Sequence, residues 1–385
     1  MTPTVTSLRS SVQSISELWK SQRNERQSRR TLDQADFDAL RDAGFLLTVV
    51  PEDMGGLWRD TATSARTACE VVRLISSADP AVGLVSAMHP AVLGYWLLNP
   101  EPSQPEWQEQ RQQVLAGAAS GAQWGTITSE PGSGGDIART KATAKPVADP
   151  SFVAGHAYAV TGDKHFGSGS GVADYMITTA IPEGEDEPAV FALDARDRRW
   201  DGSAGWTLLA EWDGVGMAAT QSHAMRLDRA IGVRLARSGP MSDITTGASA
   251  FIATLFTAAI LGVLDEAVSV AKRQLQPKAS EMRAYEQVAW SRAVSDHWLA
   301  VQAYEGSLRA METDDPSSRF AALCAKETVA ELAEATVGRL SRVIGGGTFS
   351  RRSPFSHWYE DVRALGFLRP PWGLAYDTLF ALSFD

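Results

Sequence analysis

The sequence predicts a multidomain α+β protein in which two helical regions flank a β-rich region. With 385 residues, the chain exceeds the roughly 100–150 residues that one domain usually contains. Residues 1–120 and 237–385 hold long segments with apolar residues at helical spacing, which is typical of packed helices. Residues 121–236 hold short β-branched runs between turn residues, which is typical of an all-β domain. We therefore expect three domains with these bounds.

The helices of the first region are predicted from their ends and their apolar faces. Asp33 precedes a segment that Gly44 follows, and these residue types favour the start and the end of a helix. Two further helices are predicted at residues 65–77 and 81–98.

The other two regions follow from the same kind of pattern. The middle region contains five short runs that predict strands: residues 124–128, 157–161, 175–179, 189–193 and 223–227. The last region contains three longer segments of helical periodicity: residues 242–276, 279–311 and 318–344. Each of these three is long enough to pack in a four-helix bundle.

Composition and charge exclude several classes of function. The chain has 36 basic and 46 acidic residues and a net charge of −10, so we expect no nucleic-acid partner. Its two cysteines, Cys69 and Cys324, belong to no cluster with metal-ligand spacing, so neither a metal site nor a disulfide framework is predicted. No apolar run reaches the roughly 20 residues that span a bilayer. Acidic residues near the N-terminus also disfavour a transit peptide, so a cytoplasmic protein without a membrane partner is expected.

Aromatic and glycine content points toward a ligand. Twelve tryptophans provide aromatic surface that must line either the core or a flat ligand. Three glycine-rich segments, residues 128–136, 162–171 and 344–348, could hold phosphate or a flat cofactor. None of them has the spacing of a P-loop or of a dinucleotide-binding fingerprint. Taken singly, each segment is explained as well by tight turns between strands.

Taken together and in this order, the motifs resemble those of the acyl-CoA dehydrogenase family. Ser129-Glu-Pro-Gly-Ser-Gly-Gly-Asp136 resembles the Thr-Glu-Pro-Gly-x-Gly-Ser-Asp loop of that family, and residues 162–174 resemble its G-x-K segment. Similar matches occur at residues 213–222, 344–348 and 359–363, so the resemblance covers about residues 30–370. It implies an N-terminal helical domain, a middle β-barrel and a C-terminal four-helix bundle around FAD or FMN. It also implies a homotetramer or a homodimer.

The resemblance assigns roles to particular residues. Phe166 would pack on the flavin ring. Ser168 would lie beside the flavin N5 atom, where hydride or oxygen arrives, and is a candidate catalytic residue as a hydrogen-bond donor. The neighbouring residue His165 is expected to point away, because side chains alternate along a strand. Gly345 and Gly346 would approach the adenine or phosphate end of the cofactor across a subunit interface. The full set of implied cofactor-binding residues is Thr128, Ser129, Gly135, Phe166, Ser168, Gly345 and Gly346.

The family's catalytic carboxylate has no counterpart at its usual place. Abstraction of a proton next to a thioester requires a base within hydrogen-bond reach. The position of the family's glutamate is occupied by Arg369 in this sequence, which cannot serve as that base. Asp377 is the nearest carboxylate downstream, and Glu360 is a second substitute. His89 lies where pocket residues of the family fall and is a candidate acid or base, although a helix residue bonded to a carbonyl explains it equally well.

Three functions remain open at this point. The first is an atypical flavin-dependent oxidoreductase acting on a bulky or aromatic acyl-thioester-like substrate, with an electron-transfer flavoprotein as partner. The second is a two-component flavin monooxygenase, which takes reduced flavin from a reductase and forms a C4a-hydroperoxide with O2. Such an enzyme oxidises a nitrogen, sulfur or aromatic centre of a small molecule and needs no α-carbon base. The third is a non-catalytic flavin-binding homologue.

Overall fold

The N-terminal region is helical in the structure, as predicted. This computed structural model describes residues 3–99, 103–148, 152–196, 199–368 and 370–384. The first helices are α1 (Val5–Ser21), α2 (Arg23–Arg26), α3 (Gln34–Asp42), α4 (Thr61–Ala78), α5 (Pro80–Leu97) and α6 (Pro105–Ala119). Asp33 caps α3 by accepting a hydrogen bond from the backbone N–H of Ala35. The apolar segment after α3 forms a short 3-10 helix, Phe45–Val49.

A buried ionic cluster fixes the start of α5. The guanidinium of Arg26 donates to Asp36 at 2.7 Å and to Asp79 at 2.8 Å. Asp79 in turn accepts a hydrogen bond from the backbone N–H of Val82 at 3.0 Å and so caps α5. Because one cation faces two carboxylates and each group is hydrogen-bonded, the charges can be buried together. The cluster therefore ties α5 to α2 and α3.

The middle region is a closed β-barrel, as expected. Its strands are β1 (Trp124–Thr126), β2 (Thr143–Pro146), β3 (Ala157–Gly167), β4 (Tyr175–Pro182), β5 (Ala189–Asp194), β6 (Trp206–Ala210) and β7 (His223–Arg234). Strands β4, β2, β3, β7 and β5 pair in that order, and β5 pairs back with β4, which closes the ring. Strand β1 adds to β4, and β6 adds to β7. The enclosed side chains, among them Val160, Met176 and Phe191, form a separate hydrophobic core.

Two of these strands are absent from the predictions. Strand β2 has one buried residue among its four and ends at Pro146, so its sequence carries little apolar alternation. Strand β6 is buried only at Trp206 and is partly or fully exposed over its other positions. Both strands are held by pairing with longer neighbours rather than by their own composition.

The C-terminal region is a helical bundle, as expected. Its helices are α7 (Met241–Leu275), α8 (Ala284–Glu312), α9 (Ser318–Ile344), α10 (Pro354–Gly366) and α11 (Trp372–Leu382). Helices α7, α8 and α9 pack on one another, and α10 packs on both α7 and α9. Helix α11 packs on α9.

One hydrophobic core joins the two helical regions. Helices α4 and α5 pack directly on α7, which is buried along most of its middle. In the described part of the chain, the segment Met241–Glu281 is long and apolar enough to cross a membrane, but 78% of its most apolar window is buried inside the protein. The predicted boundaries near 120 and 236 fall in the loops before β1 and after β7. The division into three domains stays a prediction.

Candidate active site

A cavity of about 610 Å³ lies where the barrel meets one helix from each helical region. Leu84 and Met88 of α5 form one wall, and Ala364 of α10 with the residues that follow it forms another. The barrel supplies the third wall from the 129–135 loop, the end of β3, and the segment that joins β6 to β7. Its volume is within the range of about 300–1,000 Å³ that is typical of ligand sites.

Other cavities match a flat ligand less well. An open cavity of about 820 Å³ lies between the 51–61 loop and the ends of α5 and α8, but none of the three glycine-rich segments contributes to its described lining. A small cavity of about 20 Å³ adjoins the 610 Å³ cavity and shares Met88 and Thr126 with it. Thr128, which the sequence assigned to the cofactor, lines this small cavity beside apolar residues of α5 and α7.

A buried ion pair positions the loop that carries Ser129. Lys164 is fully buried, and its Nζ donates to Glu130 and, at 2.6 Å, to the carbonyl of Thr179. The Glu130 carboxylate also accepts hydrogen bonds from the Thr140 hydroxyl and from the backbone N–H of Lys141. Burial alone would raise the pKa of Glu130, but these hydrogen bonds hold the pKa below its usual value. Glu130 is therefore ionised, and its hydrogen bonds hold the loop in place.

The glycines of the same loop allow a close approach to the C-terminal region. Gly134 and Gly135 have φ angles of +66° and +82°, a region that other residues adopt only at a cost. A Cβ atom on Gly135 would lie 2.6 Å from the side chain of Pro371. The backbone of the loop at Gly135 therefore packs against the ring of Pro371, in the turn that follows α10. Both the loop and the turn line the cavity.

The end of β3 places two consecutive side chains at the cavity. Phe166 has a φ of +56°, and the pairing of β3 with β7 shifts register between Lys164 and Gly167. This bulge interrupts the alternation of side chains, so His165 and Phe166 both line the cavity. The expectation that His165 points away is wrong for this reason.

Phe166 presents an unusually exposed aromatic face. Its side chain is 56% exposed, although it lies at the cavity between the barrel and the helices. Trp212 stands edge-on to it, with ring centroids 5.9 Å apart and an angle of 76° between the rings. The indole N–H of Trp212 donates to the carbonyl of Met217 at 2.9 Å. The two rings thus form a fixed aromatic corner of the cavity.

Ser168 lies beside this corner and belongs to a chain of hydroxyl groups. Its Oγ is 2.8 Å from the Oγ of Ser222, which is 2.7 Å from the Oγ1 of Thr220. Thr220 donates to the carbonyl of Met217 at 2.9 Å. Ser168 and Ser222 line the cavity, and Ser129 lies in its loop wall. The structure therefore brings together Ser129, Gly135, Phe166 and Ser168 from the predicted set.

His89 lies outside the cavity. It is completely buried, its Nδ1 accepts a hydrogen bond from the backbone N–H of Trp124 at 3.2 Å, and its Nε2 contacts the carbonyl of Leu46 at 3.3 Å. Burial lowers the pKa of His89 to about 4, against the raising effect of the Leu46 carbonyl. A neutral imidazole has one donor and one acceptor, and these contacts use both. The geometry therefore supports a structural role for His89 and not the predicted acid or base.

The substitute bases also lie away from the cavity. Asp377 is exposed on α11, and Glu360 on α10 is ion-paired with Arg363 at 3.1 Å. Neither residue lines the cavity, so the geometry does not support either as a base. Arg369, which replaces the family's glutamate, lies outside the described residues.

Gly345 and Gly346 do not line the cavity of their own chain. They follow α9, Gly345 has a φ of +100°, and a Cβ atom on either residue would meet no atom within 4 Å. The predicted contact with the cofactor of another subunit stays a prediction.

Two further residues of the site were missed by sequence reasoning. Asp361 accepts a hydrogen bond from the backbone N–H of Met217 at 2.7 Å, and Met217, with a φ of +53°, lines the cavity. Trp212 was also missed, although it immediately precedes Asp213-Gly-Val-Gly-Met217, the start of the matched segment 213–222. A search of that motif's flanks for aromatic residues would have found it.

Comparisons with known proteins place the fold. No protein-family model matches the chain. A dibenzothiophene monooxygenase of Rhodococcus qingshengii is 30% identical over 213 residues, which cover 54% of this chain and 45% of that protein. The chain therefore spans about half the length of the curated relatives that it matches.

Solved structures extend the likeness to the whole chain. FMN-bound TdsC of Paenibacillus sp. A11-2, a dibenzothiophene monooxygenase, superposes with a TM-score of 0.79 over 97% of this chain and 96% of its own, at 19% identity. A nitrososynthase of Micromonospora carbonacea var. africana gives a TM-score of 0.80 over 100% of this chain and 97% of its own, at 21% identity. At these identities the likeness shows that the chain shares their fold.

Proposed function

We propose that this chain, which has the acyl-CoA dehydrogenase fold expected from its motifs, is a flavin-dependent monooxygenase that binds FMN or FAD in the 610 Å³ cavity. The observation that carries the proposal is the exposed, left-handed Phe166 beside Trp212, opposite a glycine loop. A strained, half-exposed aromatic ring at a cavity wall is suited to pack against a flat ligand. The backbone of the 132–135 loop and the hydroxyls of Ser129 and Ser168 would meet the polar edge of such a partner.

The chemistry of the lining favours oxygenation over dehydrogenation. Among the described residues that line the cavity, the one carboxylate is Glu130, whose pKa the hydrogen bonds from Lys164, Thr140 and Lys141 hold below its usual value. A general base must be within reach of the proton that it removes, and the Glu130 carboxylate is already engaged by Lys164, Thr140 and Lys141. The acyl-thioester function is therefore replaced by the second alternative, which needs no such base.

The protein's own residues would orient the flavin and keep water away from it. When bound, reduced flavin supplies the electrons that activate O2 for transfer of one oxygen atom to the substrate. Leu84, Met88, Phe367 and Leu368 provide apolar walls around the aromatic corner, which limit access of water to the reacting groups. His165 brings the cavity an imidazole that makes no ring hydrogen bond to any described residue, and we assign it to proton transfer.

Substrate and partners follow from the same surroundings. Among the described residues that line the 610 Å³ cavity there is no lysine or arginine, and its walls are largely apolar, which favours a bulky or aromatic neutral molecule over a CoA thioester with its phosphates. The dibenzothiophene monooxygenases that the chain resembles act on a molecule of this kind, as their names state. A separate flavin reductase would supply the reduced cofactor. Assembly into a dimer or tetramer would bring Gly345 and Gly346 to the cofactor of another subunit.

Binding and oxygenation can be tested separately. The purified protein is titrated with oxidised and with reduced FMN and FAD, and Phe166→Ala is compared with Phe320→Ala, which removes an exposed ring of α9 away from the cavity. We expect flavin affinity to fall at least tenfold in Phe166→Ala and to stay unchanged in the control. Equal affinity in both variants would contradict the placement of the flavin.

Oxygenation is tested with reduced flavin, ¹⁸O₂ and dibenzothiophene, and we expect ¹⁸O in the product. A panel of acyl-CoAs is mixed anaerobically with the oxidised holoprotein. Bleaching of the flavin by an acyl-CoA would support dehydrogenation instead. Flavin binding without either reaction would leave a non-catalytic flavin-binding protein.

A further inference from the structure

Three buried hydroxyl groups form a directional chain at the cavity wall. Ser168, Ser222 and Thr220 are 4%, 6% and 0% exposed. Their oxygens follow one another at 2.8 Å and 2.7 Å, and Thr220 then contacts the carbonyl of Met217 at 2.9 Å. The chain therefore has a cavity end, at Ser168, and a fixed end, at a backbone carbonyl.

The fixed end sets the direction of every proton in the chain. A carbonyl can only accept, so the hydroxyl of Thr220 donates its single proton to Met217. Thr220 must then accept from Ser222, and Ser222 must accept from Ser168. Ser168 consequently offers a lone pair, and not a proton, to the cavity. If the three hydroxyl groups donated in the opposite direction, the Thr220 oxygen would face the Met217 carbonyl with no proton between them. One buried hydrogen bond would then be lost.

The carbonyl is itself held in place. It accepts the indole N–H of Trp212 at 2.9 Å and the backbone N–H of Thr220 at 3.2 Å. A rotation of the peptide that would release Thr220 would also leave these donors unpaired. The preferred direction is thus built into the loop between β6 and β7 and does not depend on a ligand.

The two redox states of a flavin differ in the groups that meet such a lone pair. In the central ring of oxidised isoalloxazine the N5 atom is a hydrogen-bond acceptor, whereas in the reduced ring N5 carries a hydrogen and donates. We propose that the Thr220–Ser222–Ser168 chain makes the cavity select reduced over oxidised flavin. This inference rests on the proposed function and adds the residues that determine which redox state is bound.

The selection is measured as a ratio of dissociation constants. Under anaerobic conditions, oxidised and dithionite-reduced FMN are titrated into the protein, and the Kd for oxidised FMN is divided by the Kd for reduced FMN. The midpoint potential of the bound flavin gives the same ratio independently. We expect a ratio above one in the unmodified protein. In Thr220→Val the fixed end is lost, Ser168 can turn its proton to the cavity, and the ratio falls about five- to tenfold, the worth of one hydrogen bond.

A matched control separates this effect from loss of a buried hydroxyl. Thr48 is 1% exposed and donates to the carbonyl three residues earlier, at 2.8 Å, as Thr220 does, but it lies outside the cavity. Thr48→Val should leave the ratio unchanged. Ser222→Ala interrupts the chain at another link and should lower the ratio as Thr220→Val does, which keeps the test valid if one variant fails to fold.

The outcomes distinguish the inference from the proposed function. If the unmodified protein binds flavin in neither state, the proposed function is wrong. If it binds both states and the ratio is the same in Thr220→Val, Ser222→Ala and Thr48→Val, the function stands and the directional chain is overturned.

Discussion

The carboxylate of Asp361 and the backbone N–H of Met217 form a 2.7 Å hydrogen bond across the boundary between α10 and the barrel. The two residues are 144 positions apart, and the bond ties the C-terminal bundle to the loop that carries the hydroxyl chain and Trp212. One link between these two walls of the cavity is therefore a carboxyl group whose pKa the nearby acids Asp79 and Glu360 help to raise.

Asp361 should make the stability of the protein depend on pH. Burial, and to a lesser extent Asp79 and Glu360, raises its pKa to about 7 against the effect of the Met217 N–H, whereas an unfolded aspartate titrates near 3.9. The folded state thus keeps a proton that the unfolded state loses, so stability declines as pH rises from about 4 through 7. Asp361→Asn keeps the acceptor without the charge and should raise the Tm at pH 8.5, with the gain fading toward pH 4.

Thermal unfolding followed by circular dichroism at several pH values measures this gain. The control is Asp377→Asn, which neutralises an exposed carboxylate of α11 and should leave the Tm within a degree or so at each pH. An Asp361→Asn variant with a lower Tm than the unmodified protein at pH 8.5 would refute the assignment.

Removal of Lys164 should be costly because Glu130 stays behind. Lys164→Met leaves a carboxylate that is 6% exposed without its cation, and breaking a buried pair in this way costs roughly 3–5 kcal/mol. Urea unfolding measures the loss. The same change at Lys145, whose pair with Glu183 is exposed, should cost less than about 1 kcal/mol. Adding Glu130→Gln to Lys164→Met should recover part of the loss, and failure to recover any would contradict an ionised Glu130.

Gly135→Ala should impair both folding and flavin binding. Gly132 and Gly135 have similar φ angles, +78° and +82°, but a Cβ atom on Gly132 meets no atom within 4 Å, whereas one on Gly135 meets Pro371 at 2.6 Å. Each alanine costs the roughly 1–2 kcal/mol of the left-handed backbone, and Gly135→Ala alone must also move the 129–135 loop away from Pro371 in the turn that follows α10. We expect it to weaken FMN binding at least tenfold more than Gly132→Ala. Equal Kd values for the two variants would argue against contact between loop and cofactor.

Lys326 should hold the turn that covers the cavity. It is fully buried, and its Nζ donates to the carbonyls of Gly366 at 2.6 Å and Pro370 at 3.0 Å while paired with Glu327. Lys326→Met should therefore speed amide hydrogen exchange around Phe367 and leave the barrel strands protected. Lys278→Met, at an exposed lysine, is the control. Unchanged exchange near Phe367 would show that packing alone holds the turn.

The sequence predicted most of the architecture because its signals are local. Helices α4, α5 and α7 have long apolar faces, and the predicted ends of α9, residues 318 and 344, agree with the structure. Strands β2 and β6 were missed because their stability comes from neighbouring strands.

Sequence motifs were enough to predict that Phe166 and Ser168 lie at the site. They were not enough where the backbone conformation determines which side chains face the cavity. With a φ of +56° at Phe166, both His165 and Phe166 line the cavity. No residue type in that segment predicts such a backbone conformation. His89 shows the converse, since its residue type suggests chemistry while its two hydrogen bonds belong to the fold.

The core that the two helical regions share has a consequence during synthesis. Helices α4 and α5 precede the barrel, while α7, on which both pack, follows it. Until the ribosome has released α7, the faces of α4 and α5 that pack on it remain uncovered, whereas the barrel encloses a core of its own. Because chains fold as their segments emerge, the barrel is expected to close first, while those faces of the N-terminal helices are still exposed to solvent. Premature termination within α7 should therefore yield a chain that aggregates even though its barrel is complete.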